Sequence, residues 1–280
     1  MSKVLIIGSR GTLGTYLTKF LTSQFKVATY DYRFTSQHNH STDLENFIQK
    51  NSIKKVINCV GATDVSRCEA DKLYAYNGNT LIPEVISKIQ NRNINNIKVI
   101  NFSSDQVYPG TGNALETNAY PLNVYGQSKL RGEQMLNDNA CNLRINYVSK
   151  GKNRNSFSDW VVHTAQNHDH VTLYKDVFFN PVDINTVGKC VAHVLNNKII
   201  GTYNVGALSK LNKAEFYYKL AKTLNLKNPN TTSESYSLSN ETPRPLDMSM
   251  NITKSLQHGF VLPTISDVIE SLSKEYLDAN

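Results

Sequence analysis

Two serines, a phenol and an ammonium group fall at spacings that could move a proton. Ser103 and Ser104 close the apolar run KVINF, and Tyr125 and Lys129 follow four residues apart in VYGQSK. Positions four apart share one face of a helix. A phenol titrates at about pH 10 in water, and a neighbouring ammonium favours its ionised form. Such a pair can hand a proton to a carbonyl oxygen while a serine hydroxyl polarises that oxygen. Ser104, Tyr125 and Lys129 are therefore the candidate catalytic residues. The same spacing recurs at Tyr218 and Lys222, but 15 tyrosines make coincidence easy and no serine-ended strand precedes the second copy. That one reads as helix packing and surface charge.

These groups need elements that carry them to one place. KVLIIG reads as a strand running into SRGTLG and then a helical pattern. Gly8, Gly11 and Gly14 thus sit where a strand turns into a helix, with Arg10, Thr12 and Leu13 between them. Small residues there let backbone approach a pyrophosphate, and the helix N-terminus favours its charge. Asp31 ends the next strand, FKVATYD, and can accept from a ribose 2′-hydroxyl, which favours NADH. Arg10 and Arg33 could instead pair with a 2′-phosphate, which favours NADPH. Both cofactors stay open, with a slight lean to NADPH being usable.

Further along, STDLENFIQKNS is helical, IKKVINCVG a strand, and CEADKLYAYNGNTLIPEVISKIQ one long helix with a kink at Pro83. IKVINFSS, NVYGQSKLRGEQMLN and CNLRINYVS continue the alternation as strand, helix and strand. The pattern predicts an α/β fold: a Rossmann-type, doubly wound parallel sheet with a smaller mixed lobe toward the C-terminus. The expected division gives the dinucleotide-binding domain about 1–147 plus 183–206, and the substrate lobe about 148–182 plus 207–280. Trp160 is read as core.

The chain has 280 residues, 40% of them apolar, and a formal charge of +7. Its basic residues form no dense block of the kind that tracks nucleic-acid phosphates, so anionic small ligands account for the charge. No apolar run reaches membrane-spanning length, and the opening strand is too short for a leader's apolar core. Cys59, Cys68, Cys141 and Cys190 form no CxxC pair. A reducing, cytoplasmic setting without disulfide or zinc is expected. His38 with His40, and His168 with His170, each resemble half a metal site, but read as surface histidines.

With these residues in place, the chain resembles the extended short-chain dehydrogenase/reductases, most closely their dTDP-4-dehydrorhamnose reductase branch. NCVGATDVSRCE, AYNGNT, SSDQVYPGTG, PLNVYGQSKLRGE, LRINYV, FFNPVDI and RPLDMSM follow in family order. The resemblance implies that Val60, Gly61, Ala62 and Asn77 line the cofactor, together with Asp43 and Leu44. It implies that Ser104 bonds the substrate carbonyl, that Tyr125 is the general acid, and that Lys129 is its partner and a ribose ligand. Asp105, Gln106, Tyr147, Asn180 and Arg244 would contact the nucleotide-sugar, Arg244 at its phosphates. Tyr147 stands where the family usually has Trp.

The implied activity is NAD(P)H-dependent reduction of the C4 keto group of a nucleotide-linked 4-keto-6-deoxysugar, of the dTDP-4-dehydro-L-rhamnose type, in deoxysugar biosynthesis. A bifunctional 3,5-epimerase/4-reductase acting on a UDP-sugar is a variant, disfavoured because Gln106 stands where those relatives carry Cys. The same branch also resembles the regulatory subunit of methionine adenosyltransferase, a non-catalytic partner module. A nucleotide-sugar partner is expected, with neither nucleic acid nor membrane, and a homodimer is open to the chain.

Overall fold

The computed structural model describes residues 3–31, 40–92, 96–153, 156–167, 170–226, 231–236 and 242–278. The apolar opening forms β1 (Lys3–Ile7), whose Val4 to Ile7 have no exposure at all, so both faces of the strand are covered. It is followed by α1 (Thr12–Leu21), β2 (Lys26–Tyr30), α2 (His40–Lys50) and β3 (Lys55–Asn58). Leu13, Leu17 and Leu21, four apart, form the buried stripe of α1.

The expected long helix is three: α3 (Val65–Ala70), α4 (Lys72–Asn79) and α5 (Leu81–Asn91). Asp71 is extended (φ −130°, ψ 90°) and caps α4 by accepting from the Tyr74 N–H, so the helix restarts there. Pro83 lies in the first turn of α5, where a missing N–H removes no intrahelical bond, and it ends no helix. Next come β4 (Lys98–Ser104), α6 (Val124–Met135), β5 (Ala140–Ile145), β6 (Tyr147–Val148), α7 (Phe157–Asn167) and β7 (Val171–Tyr174). The rest is β8 (Phe178–Phe179), β9 (Val182–Asp183), α8 (Ile184–Asn197), β10 (Gly201–Val205), β11 (Leu211–Asn212), α9 (Lys213–Thr223), β12 (Thr231–Glu234), α10 (Thr253–Gln257) and α11 (Ile265–Leu277).

The chain divides into two compact units. The first comprises Met1–Val107, Pro121–Arg144 and Cys190–Tyr203; the second comprises Tyr108–Tyr120, Ile145–Lys189 and Asn204–Asn280. The first unit is built on a parallel, Rossmann-type sheet in the order β2-β1-β3-β4-β5-β10. The register pairs Ile7 with Tyr30 and with Asn58, and Asn58 with Asn101, so these strand ends lie side by side. Leu5, Ile7, Val56 and Val99 pack one sheet face against Ile48 of α2 and Ile86 of α5.

In the second unit α7, α9 and α11 enclose a core that includes Val161, Phe216, Leu220 and Val268. Capping boxes at Asn212/Glu215 and Thr264/Asp267 start α9 and α11. Residues Tyr108–Tyr120 join this unit, unlike the expected boundary, because Thr111 and Ala114 bridge Asp247 and Met250 in parallel. Gly110, at φ +84°, has room for no Cβ, which would fall 2.6 Å from the Pro245 side chain.

Trp160 corrects its reading as core: it is 39% exposed, with one ring face stacked on Phe157 at 5.8 Å. An indole at the edge of a small unit buries one face and wets the other. Tyr218 is likewise exposed and bonds Thr231 Oγ1 at 2.7 Å, in keeping with a surface role. None of the four cysteines is in a disulfide, and Cys59 falls just after β3 rather than within it. Among the described residues no helix is long and apolar enough to cross a membrane, and no cluster could hold a metal ion. His38 and His168 lie outside the described residues.

Candidate active site

The glycine turn is built by close backbone approach. Gly8 takes φ +83°, and its N–H donates to the Tyr30 carbonyl at 3.3 Å. A Cβ on Gly14 would lie 2.2 Å from the Gly8 oxygen, so α1 rests directly on the end of β1. A Cβ on Gly11 would meet only that same oxygen, at 3.7 Å. The turn is thus packed beneath Gly8 and Gly14 and open above Gly11. Thr12 begins α1, while Leu13 turns into the core and offers the site only its backbone.

At the end of β2 the two conflicting cofactor signals meet each other. Asp31 accepts from Ser9 Oγ at 3.0 Å through one oxygen and pairs with Arg10 Nη2 at 2.7 Å through the other. Both partners remain in water, with the Arg10 and Asp31 side chains 65% and 36% exposed. Arg33 lies outside the described residues. At the head of α2, Asp43 is exposed, but Leu44 is buried among Leu5, Ile48 and Ile53. Its side chain therefore serves the core.

Past β3, Val60 N–H donates to Asn58 Oδ1 at 3.2 Å, Gly61 is exposed and Ala62 is buried. The Ala62 segment is held by Asn79, whose amide accepts from Ala62 N–H at 3.0 Å and donates to Ala62 O at 3.1 Å and Ser128 Oγ at 2.9 Å. Asn77, two residues earlier, is only half-buried. The tie between the cofactor-side loop and α6 thus belongs to Asn79. Sequence reasoning missed it because NGN offers two asparagines and only the helical phase selects the inward one.

At the end of β4, Ser104 Oγ donates to Asp105 Oδ1 at 3.0 Å and accepts from Gln106 N–H at 3.1 Å. Asn123 joins this turn to α6: its oxygen caps the helix by accepting from Gly126 N–H at 2.8 Å, and its amide donates to Gln106 Oε1 at 3.0 Å. Gly126 is required, since a Cβ would fall 2.2 Å from the Gln106 oxygen. Ser103 Oγ is buried without a hydrogen-bond partner. Tyr125 is buried and packs with Ala62, Val65, Cys68 and Ala75. One turn on, Lys129 is only 7% exposed, and its Nζ donates to the Phe102 carbonyl at 3.2 Å. A Cβ on Gly61 would stand 3.1 Å from that ammonium. Burial brings the Lys129 pKa down to about 8, against the opposing pull of Cys68, Glu133 and Cys59.

The second unit holds the other expected contacts. Tyr147 is half-buried in β6, which runs parallel to β9, and Arg244 is exposed just before the buried Pro245. Asn180 is bound into the fold. Its amide donates to Ala207 O at 3.3 Å and Met250 O at 3.0 Å and accepts from Met250 N–H at 3.0 Å, so it ties three segments together.

A glycine turn between β1 and α1, an acid closing β2, and a buried Tyr–Lys couple beside a serine-ended β4 define a dinucleotide-dependent oxidoreductase of the Rossmann type. The chain belongs to the family described as the RmlD substrate binding domain, which matches residues 2–277. It is 28% identical over 220 residues to a dTDP-4-dehydrorhamnose reductase of Shigella flexneri, covering 73% of this chain and 72% of that protein. It is 26% identical over 244 residues to a probable low-salt glycan biosynthesis reductase of Haloferax volcanii, covering 78% and 79%. In fold it matches a dTDP-4-dehydrorhamnose reductase of Bacillus anthracis solved with NADP, at a TM-score of 0.88 and 20% identity over 99% of this chain and 100% of the other.

Proposed function

We propose that this chain reduces the C4 keto group of a nucleotide-linked 4-keto-6-deoxysugar, with NADH or NADPH as reductant. The observation that carries the reading is Lys129: a buried ammonium brought to the end of β4 by the helix that carries Tyr125. The turn above Gly11 fits the dinucleotide, because it offers open space, helix N–H groups and no side chain in the way. When bound, the dinucleotide supplies the hydride. Gly8, Gly11 and Gly14 would hold its pyrophosphate and Asp31 with Arg10 its adenosine ribose. Val60, Gly61 and Lys129 would line its other half.

Tyr125 donates the proton that converts the reduced carbonyl oxygen to a hydroxyl, and Ser104 turns its single hydroxyl proton from Asp105 to the same oxygen when substrate is bound. Lys129, cationic at neutral pH, favours the phenolate that remains. The Gln106 N–H, which donates to Ser104 Oγ, holds that hydroxyl in place. The named activity of the relatives supports dTDP-4-dehydrorhamnose as the first substrate to test. Gln106 is engaged by Asn123 and is no acid–base group, which leaves epimerisation at C3 and C5 to a separate enzyme.

The test is NADH and NADPH oxidation with dTDP-4-dehydro-6-deoxyglucose, with and without an added 3,5-epimerase, in the native chain and in Tyr125→Phe. Turnover only with the epimerase, falling on the order of 10²–10⁴-fold in the variant while cofactor affinity holds, is the expected result. Equal turnover in Tyr125→Phe would refute the assignment. Cofactor binding without turnover on any 4-keto sugar nucleotide would favour a partner module instead.

A further inference from the structure

The buried side of α6 holds no aliphatic side chain: it consists of Tyr125, Gly126, Ser128, Lys129, Gly132 and Glu133. A helix without an apolar stripe is placed by its polar bonds and by close backbone contact. Asn123 and Gly126 fix its start against Gln106, and Asn79 and Thr80 hold its middle through the Ser128 hydroxyl and carbonyl, both at 2.9 Å. Its far end is fixed by charge. Glu133 receives two bonds from Arg144 of β5, Nε to Oε1 at 3.0 Å and Nη2 to Oε2 at 2.7 Å, with the two side chains 5% and 4% exposed.

We propose that the Glu133–Arg144 pair is a positioning device for the Tyr125–Lys129 couple, setting the rotation of α6 and fixing the Glu133 carboxylate one turn beyond Lys129. This rests on the reductase reading for what the couple does, but not for how it is set. Tyr125, Lys129 and Glu133 follow one another four apart, so turning the last turns the other two. A two-pronged guanidinium contact fixes angle as well as distance, which a lysine or a neutral amide cannot reproduce. The buried strand face behind it is polar as well. Asn58 donates to Asn101 and Asn101 to Asn142, each at 2.9 Å, and Asn142 lies two residues before Arg144 on the same face of β5. The groups acting on Lys129 are Cys59 after β3, Cys68 of α3, the Phe102 carbonyl of β4 and Glu133 of its own helix. Of these, Glu133 is the one fixed anion.

The experiment compares Glu133→Gln, Arg144→Lys and the uncharged pair Glu133→Gln/Arg144→Gln with the native full-length chain. Lys129 reactivity toward a small acylating reagent across pH, read by mass spectrometry, needs no substrate, and it separates this idea from the reductase reading. Glu133→Gln should shift the Lys129 titration to lower pH by roughly half a unit to one unit, while Arg144→Lys leaves the titration near its native pH. Both should lower kcat at least tenfold with KM for the sugar nucleotide within about threefold. If Glu133→Gln fails to fold, the uncharged pair carries the same titration test. An unchanged Lys129 titration in a folded variant without Glu133, or native kcat in both single variants, would overturn the proposal.

Discussion

Replacing Lys129 by Met should make the protein more stable while removing its activity. The Lys129 pKa falls from 10.5 to about 8 because the ammonium is buried. At about 1.4 kcal/mol per pH unit, holding it charged in the fold costs roughly 3 kcal/mol at neutral pH. Losing the bond to the Phe102 carbonyl returns about 1 kcal/mol of that, so a gain of about 2 kcal/mol is expected for a side chain of similar length. The sign follows from proton counts. Between pH 8 and 10.5 the unfolded chain keeps the lysine proton and the folded chain does not, so native stability rises with pH across that window. Urea unfolding of both proteins from pH 6.5 to 10.5 reads out this lysine and the groups coupled to it, because titrating groups remote from it cancel in the difference. The advantage of Lys129→Met should be constant below pH 8, fall as pH rises, and turn into a deficit of about 1 kcal/mol, the lost bond alone, by about pH 10.5. A variant less stable at pH 7, or a difference that does not change with pH, would refute the account of Lys129 as a buried charge maintained for chemistry.

Gly14→Ala should abolish measurable cofactor binding and lower stability by about 1–3 kcal/mol, because its Cβ would lie 2.2 Å from the Gly8 oxygen; dinucleotide titration followed by fluorescence checks both cofactors. Arg10→Ala should weaken NADPH and strengthen NADH, and Asp31→Asn should do the reverse, each by several-fold, since each residue now neutralises the other. Dissociation constants for the two cofactors decide this. Asn180→Ala should destabilise by about 2–4 kcal/mol with little change in cofactor affinity, because it leaves Met250 and Ala207 backbone groups unpaired in the second unit. A stability loss below 1 kcal/mol in chemical denaturation would contradict that role.

The parts of the site that depend on local order were legible in the residues. Gly8, Gly11 and Gly14 between a strand and a helix, the serines closing β4, and Tyr125 with Lys129 on α6 are all short-range patterns, and each lies on the element its pattern names. What escaped were the long-range ties. Asn79 rather than Asn77 is chosen by the phase of α4 against Ala62 and Ser128, which no window along the chain contains. Leu44 looks like any helix-start residue until Leu5 and Ile53 are packed on it. The break at Asp71 was hidden because apolar spacing continues across it and only its cap on the Tyr74 N–H reveals the restart. Two-residue strands such as β8 and β11 exist through each other and carry no periodicity of their own.

The division of the chain also has a consequence for how the protein is made. The backbone passes from one unit to the other at 107/108, 120/121, 144/145, 189/190 and 203/204. No single cut therefore separates the two units into contiguous pieces. On a ribosome the central sheet must wait for β10, its last strand, before it can be completed. The second unit, whose first segment is Tyr108–Tyr120, must wait for α11. During translation its early segments sit without their partners, so nascent-chain quality control, more than the mature enzyme, would feel a slow or paused message.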